Sequence, residues 1–468
     1  MLKGKSKRFI SILLVIIMII AFPLVGCEKK EDTSEDGSKE EKQEIASENK
    51  KEDEKPDEKE PEKEQEKSKV VFWYLWGGET GKWVQNRVDH FNESQDKYFV
   101  EGLSVPDKQK IIVAISSGSG PDLTDDFSNF VADYAEKGVA EPLDDYIQKD
   151  NDEFKIDDFI PMALESCKYD GKTYAIPCSI NFMMLFYNKK LFNEAGLEGP
   201  PKTDKELLEY AIKLTKVNDD GTIDVLGFPD FPIVYYLGPM SAAFGAQLIS
   251  EDGKTLTPDN PGTLRALNLI VEYIKKFGYD NVAKFRAAGK YLDATDPFFT
   301  DKQAMRIDGM WLGSKVRTEL KLSKEDFDYG IAPLPYPEGH PELELGNSIS
   351  CSMYYIPKNA KNKEGAWEYL KWAMGEGECQ VINPVAAGFP TRFSSVNAPI
   401  FQEVIDFPEF SVMADSKNLR LFPALSIQNK YNEIIDEEAE LVMNLKKSPE
   451  EAMKDAAKKA NELMKELK

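Results

Sequence analysis

The side chains of this chain that could do chemistry are aromatic rings set close to carboxylates and amides. Trp76 and Glu79 follow the apolar run Val70-Val71-Phe72-Trp73-Tyr74-Leu75. They stand at the carboxyl end of a buried strand, where open α/β sheets present ligand sites. A flat ring stacks on the C–H face of a polyol, while carboxylates and amides bond its hydroxyls, so the pairing suits a hydroxyl-rich guest. The alternative for Trp76 is a ring buried with its strand. Asp125 and Asp126 come at the end of a later strand, after Pro121-Asp122-Leu123, where each could bind a polar guest or cap a helix beginning near Phe127. Asp308 and Arg392 could grip vicinal hydroxyls in bidentate fashion or make an ion pair between parts of the fold. With only His90 and His340, and with Cys167, Cys178, Cys351 and Cys379 lacking CxxC spacing, the chain offers no zinc-cluster pattern. No metal or cofactor is implied, and the pairing of these cysteines stays open.

Elements must hold these residues in place. The first apolar run ends at Gly77-Gly78, and Trp83, Val84, Val88 and Phe91 then recur at helical spacing before a second strand over 99–105. Strand, helix, strand predicts a parallel sheet. Thr203 with Glu206 makes a capping-box pattern ahead of the stripe Leu207, Ala211 and Leu214. Ser448-Pro449-Glu450-Glu451 opens a last helix whose stripe runs through Met453, Ala456, Ala460, Leu463, Met464 and Leu467. These stripes are core-facing. No repeat of fixed period is visible, which argues against a solenoid.

At 468 residues the chain exceeds the roughly 250–300 residues at which single cores stop growing, so two lobes are expected. Residues 1–26 read as an export signal: Lys3, Lys5, Lys7 and Arg8 precede an uncharged apolar run over 9–22 that is short for a membrane span. Leu24-Val25-Gly26-Cys27 resembles a bacterial lipobox, which would make Cys27 a lipidated N-terminus; an ordinary secretory signal is the alternative. Residues 28–69 are Glu, Lys, Asp, Ser and Pro with almost nothing to bury, so 27–69 read as a disordered acidic tether spanning roughly 35 Å or more. An acidic interaction tail is the alternative reading. The net charge of −23 repels nucleic acid and gives no steering toward anions, which leaves a neutral solute first and a cationic one second.

Five stretches, in order, carry a family resemblance: Phe72-Trp73 to Gly78; Ala114-Ile115-Ser116-Ser117-Gly118 with Pro121-Asp122-Leu123; Gly171 to Pro177 leading to Phe186-Tyr187-Asn188-Lys189 and Leu191 to Gly196; Ala304-Met305-Arg306-Ile307-Asp308-Gly309-Met310-Trp311; and Ala366 to Trp372. Together they resemble the extracellular solute-binding proteins of bacterial sugar ABC importers, of the maltodextrin and multiple-sugar type. The resemblance covers nearly everything after Lys69. It implies an α/β, two-lobed periplasmic-binding-protein-like fold with an interlobe ligand cleft. Lobe one is expected over 70–178 and 345–392, and lobe two over 179–335 and 393–468. It also implies hinge closure on a carbohydrate, delivery to an ABC permease, no enzymatic activity, and a monomer lipid-anchored on the extracellular face of the membrane. By the same resemblance Trp311 stacks on the sugar, Asn129 and Asn181 supply polar contacts, and one of Tyr235 and Tyr236 faces the cleft. Near the end the chain departs from the pattern: Pro423 leads to Leu425, Ile427, Gln428 and Asn429, without the Trp that some relatives have, which argues against a maltodextrin specificity. The rivals are a binding protein for a polyamine or peptide, a purely structural surface lipoprotein, and a secreted glycoside hydrolase. The hydrolase needs two carboxylates facing across a bond, which counting among 82 acidic residues does not test.

Overall fold

The computed structural model describes residues 66–228, 233–309, 311–318, 320–323, 326–375, 388–396, 398, 413, 416–422 and 424–466. The export signal, Cys27, nearly all of the tether, Cys379, Pro423, Leu467 and the side chain of Tyr235 lie outside the described residues.

Eight strands form the main sheet: β1 (Ser68–Tyr74), β2 (Tyr98–Ser104), β3 (Leu123–Phe127), β4 (Ile176–Asn188), β5 (Met305–Gly309), β6 (Tyr329–Ala332), β7 (Asn347–Tyr355) and β8 (Leu419–Leu421). Their order is β6-β4-β7-β3-β1-β2, with β8 added to β7 and β5 to β4. β1 lies parallel to both β2 and β3, as strand-helix-strand patterning requires. The second strand begins one residue earlier than its apolar run suggested, because Tyr98 pairs with Ser68. Between them the helix Gly78–Ser94 buries Val84, Val88 and Phe91.

Period-two alternation divides the side chains of β1. Val70, Phe72 and Tyr74 enter a core with Trp367, Tyr369 and Leu370 of the helix Lys363–Ala373. Trp73 packs from the other face against Ile111, Ile115, Tyr134 and Tyr355. A separate, larger core gathers Leu207, Ala211, Leu267, Ile270, Met305, Ile307, Tyr431, Met453 and Ala460. The expected capping boxes form. Thr203 Oγ1 accepts from the Glu206 amide at 3.3 Å, and Ser448 Oγ from the Glu451 amide at 3.2 Å. Each Glu side chain returns the bond to its Ser or Thr amide.

β4 joins the two groups of strands. Its first half pairs with β7, from Ile176 opposite Tyr354 to Phe182 opposite Ile349. From Met183 onward it pairs with β5, and from Leu185 also with β6. β7 crosses beside it, running from β8 at Asn347 to β3 at Tyr355. The molecule is therefore an α/β body of two lobes joined by two paired, antiparallel strands. Among the described residues, no helix is long and apolar enough to cross a membrane.

Candidate functional site

Sheet register strings a band of side chains across the junction. Trp76, half-buried just beyond β1, meets Phe127 at the end of β3 edge-on, with ring centroids 6.1 Å apart. Phe127 lies opposite Ser352 on β7, whose hydroxyl accepts from Asn181 Nδ2 of β4 at 3.1 Å. Two residues along β4, on the same face, Met183 lies opposite Gly309. A Cβ on Gly309 would fall inside the ring of Trp311, so glycine is what lets that indole lie against the backbone of β5. Trp311 is half-buried at the start of the helix Trp311–Thr318. Its Nε1–H donates to the Tyr291 hydroxyl at 3.1 Å, and that hydroxyl donates to Asp308 Oδ1 at 3.2 Å.

Asp308, the neighbour of Gly309 on the opposite face of β5, is joined to this band through Tyr291. It is fully buried, its Oδ1 also accepts the Gly309 amide at 2.8 Å, and its Oδ2 has no hydrogen-bond partner among the described residues. Burial pushes its carboxyl up to about 6 although Arg306 is near. That guanidinium is committed elsewhere: Asp296 holds it through both nitrogens, at 3.0 and 2.5 Å. Asp125 on β3 resembles it, with Oδ1 accepting the Leu75 amide at 2.8 Å, Oδ2 without a partner among the described residues, and burial pushing the carboxyl up to about 7. A buried carboxylate oxygen without a donor costs free energy until one arrives.

Other expected residues go elsewhere. Asp126, on the opposite face of β3 from Asp125, binds Lys108 Nζ at 2.7 Å and the Tyr134 hydroxyl, an internal pair. Neither aspartate caps a helix; the turn Ser128–Phe130 has no side-chain cap. Asn129 sits half-buried in that turn. Glu79 faces solvent in the first helical turn and pairs with Lys82 at 2.7 Å. Tyr236 is a correction: it is 1% exposed, packed against Phe228 in the larger core, and cannot face a ligand. Arg392 is another. It is fully buried, donating to the Met374 and Phe154 carbonyls at 2.7 Å each and to the Lys155 carbonyl and Asp158 at 3.3 Å each, above the ring of Phe159. It ties the segments around Phe154–Asp158 and Met374 together and, buried there, does not face a guest. Tyr291, Phe127 and Ser352 join the contacts of this band without having been singled out from the sequence. Only the strand ends flanking Phe127 hinted at one of them.

Among the described residues no group of three or more His, Cys, Asp or Glu could hold a metal. Cys167 and Cys351 are buried thiols whose pKa burial raises, to about 12 for Cys351, so neither is a nucleophile.

Comparison with known proteins agrees with this architecture. The profile of the bacterial extracellular solute-binding protein family matches residues 100–378. The maltotriose-binding protein of Pyrococcus abyssi is 27% identical over 361 residues, which is 73% of this chain and 68% of that protein. The mannobiose-bound structure of CpMnBP1 superposes with a TM-score of 0.71 at 27% identity, covering 84% of this chain and all of its own. The ABC substrate-binding protein of Listeria monocytogenes solved with cycloalternan shares the fold, with a TM-score of 0.70 at 22% identity over 85% of this chain and 99% of its own. A two-lobed α/β fold with a profile match over more than half its length makes this chain a member of the bacterial extracellular solute-binding protein family.

Proposed function

We propose that the protein captures a neutral carbohydrate outside the cell by closing its lobes on it, and passes it unchanged to the permease of an ABC importer. The observation that carries this reading is the corner where the Tyr291 hydroxyl joins the Trp311 indole to the buried Asp308 carboxylate, one of whose oxygens has no donor among the described residues. A sugar supplies both missing partners: a C–H face for a ring and a hydroxyl for the oxygen. The band running through Asn181 and Phe127 to Trp76 extends the surface onto the other lobe. Contacts made to both lobes at once exist only in the closed state, and that difference shifts the population toward it. Relatives that bind maltotriose and mannobiose support an oligosaccharide as the guest.

In this reading residues 70–178 with 345–392 form one lobe and 179–335 with 393–468 the other, Asn129 and the Tyr235 ring contribute to the site, and a lipid on Cys27 holds a monomer at the outer face of the membrane. The net charge of −23 favours a cationic solute as the second reading. Calorimetry of the purified protein against maltotriose, mannobiose and spermidine separates the two. Heat with an oligosaccharide, and sugar recovered intact after overnight incubation, is expected. Heat with spermidine alone, or release of reducing ends, would overturn the reading.

A further inference from the structure

We infer that Tyr291 is a positioning residue that ties the indole of Trp311 to the buried carboxylate of Asp308, and so sets the plane on which the ring of a guest stacks. The inference rests on the carbohydrate reading above.

The direction of the bonds follows from chemistry. An indole N–H only donates, so the Tyr291 oxygen accepts from Trp311, and its single proton goes to Asp308 Oδ1. Oδ1 thereby receives two donors, from Tyr291 and from the Gly309 amide, which turns the remaining capacity of the carboxylate to Oδ2.

Tyr291 is well anchored for this task. The Arg306 guanidinium lies 5.4 Å from its ring centroid, and Arg306 is fixed by the fully buried Asp296. Asp296 also accepts the Leu292 amide at 2.8 Å and the Phe298 amide at 2.9 Å, closing the loop on which Tyr291 sits. Leu292 itself is held at φ 55, the left-handed region that a free Leu avoids. Despite these ties Tyr291 is 42% exposed, so the ring that orders the corner also borders the space a guest would enter. The charged groups facing Asp308 are Arg306 on its own strand and Asp296 behind it.

Tyr291→Phe keeps the ring and deletes the hydroxyl. The six Trp indoles give separate ¹⁵N–¹H signals, and Trp311→Phe identifies the relevant one. In Tyr291→Phe the Trp311 signal should shift and exchange faster with solvent, even without ligand. Affinity for whichever of maltotriose and mannobiose binds should fall about tenfold. The midpoint of affinity against pH should move upward, because Asp308 loses a hydrogen bond to its charged form. An unmoved indole signal with an unmoved pH midpoint would overturn the inference. If the unaltered protein gives no heat with either sugar, it is the carbohydrate reading that fails, and the indole signal alone still decides the role of Tyr291.

Discussion

Deleting the indole of Trp311 removes a stacking face but little of the core, since the ring is only half-buried. Trp311→Ala should therefore weaken oligosaccharide binding at least about tenfold, while circular dichroism and the thermal midpoint change little. Asp308 makes a prediction with a sign. Its carboxyl is raised from 3.8 to about 6 in the folded chain, so the native state holds the proton more tightly than the unfolded one. Its contribution is then most favourable below the unfolded value and is lost as pH rises through about 6, a difference of roughly 3 kcal/mol by neutrality. Asp308→Asn should flatten the dependence of thermal midpoint on pH between 4 and 7, and lose sugar binding as well. Position at a strand end pointed to Trp76, and the family resemblance to Trp311. The reading misled at Arg392 and Tyr236, whose partners Met374, Phe154 and Phe228 lie within the folded cores and not in their local sequence. Tyr291 was illegible for the converse reason: its loop has no period, and its importance appears only once Trp311 and Asp308 are seen to share its hydroxyl.

Among the elements, β5 sets where the Trp311 ring lies. Gly309→Ala would push a methyl into the Trp311 ring, and the ring must leave the backbone to make room. Binding of maltotriose or mannobiose should fall at least as far as in Trp311→Ala, with a lower thermal midpoint in addition, because strain is added where packing is tight. The parallel arrangement of β1 and β2, the helix between them and both capping boxes were readable from periodicity and cap chemistry, which are local signals. The double use of β4 was not. A mostly apolar stretch from Ile176 to Asn188, interrupted at Ser179 and Asn181, says only that a strand is largely buried, and the change of partner after Phe182 depends on β5, β6 and β7, more than a hundred residues later.

For the whole molecule, the expected lipid on Cys27 is tested by Cys27→Ser, which should move the protein from the membrane pellet to the culture supernatant. Ligand-driven closure predicts a smaller radius of gyration by X-ray scattering when a bound sugar saturates the site; an unchanged radius would mean that the lobes do not move. The way β4 and β7 span both lobes bears on how much force a guest must supply. A bend spread as extra twist along two bonded ribbons leaves every rung between them intact, whereas a loop hinge would have to reorganise its backbone. A connection of that kind would keep the two shapes close in energy. A guest needs about 5.5 kcal/mol of preference for one shape to carry such a balance from 1:99 to 99:1, an amount that a few stacked rings and hydroxyl contacts supply.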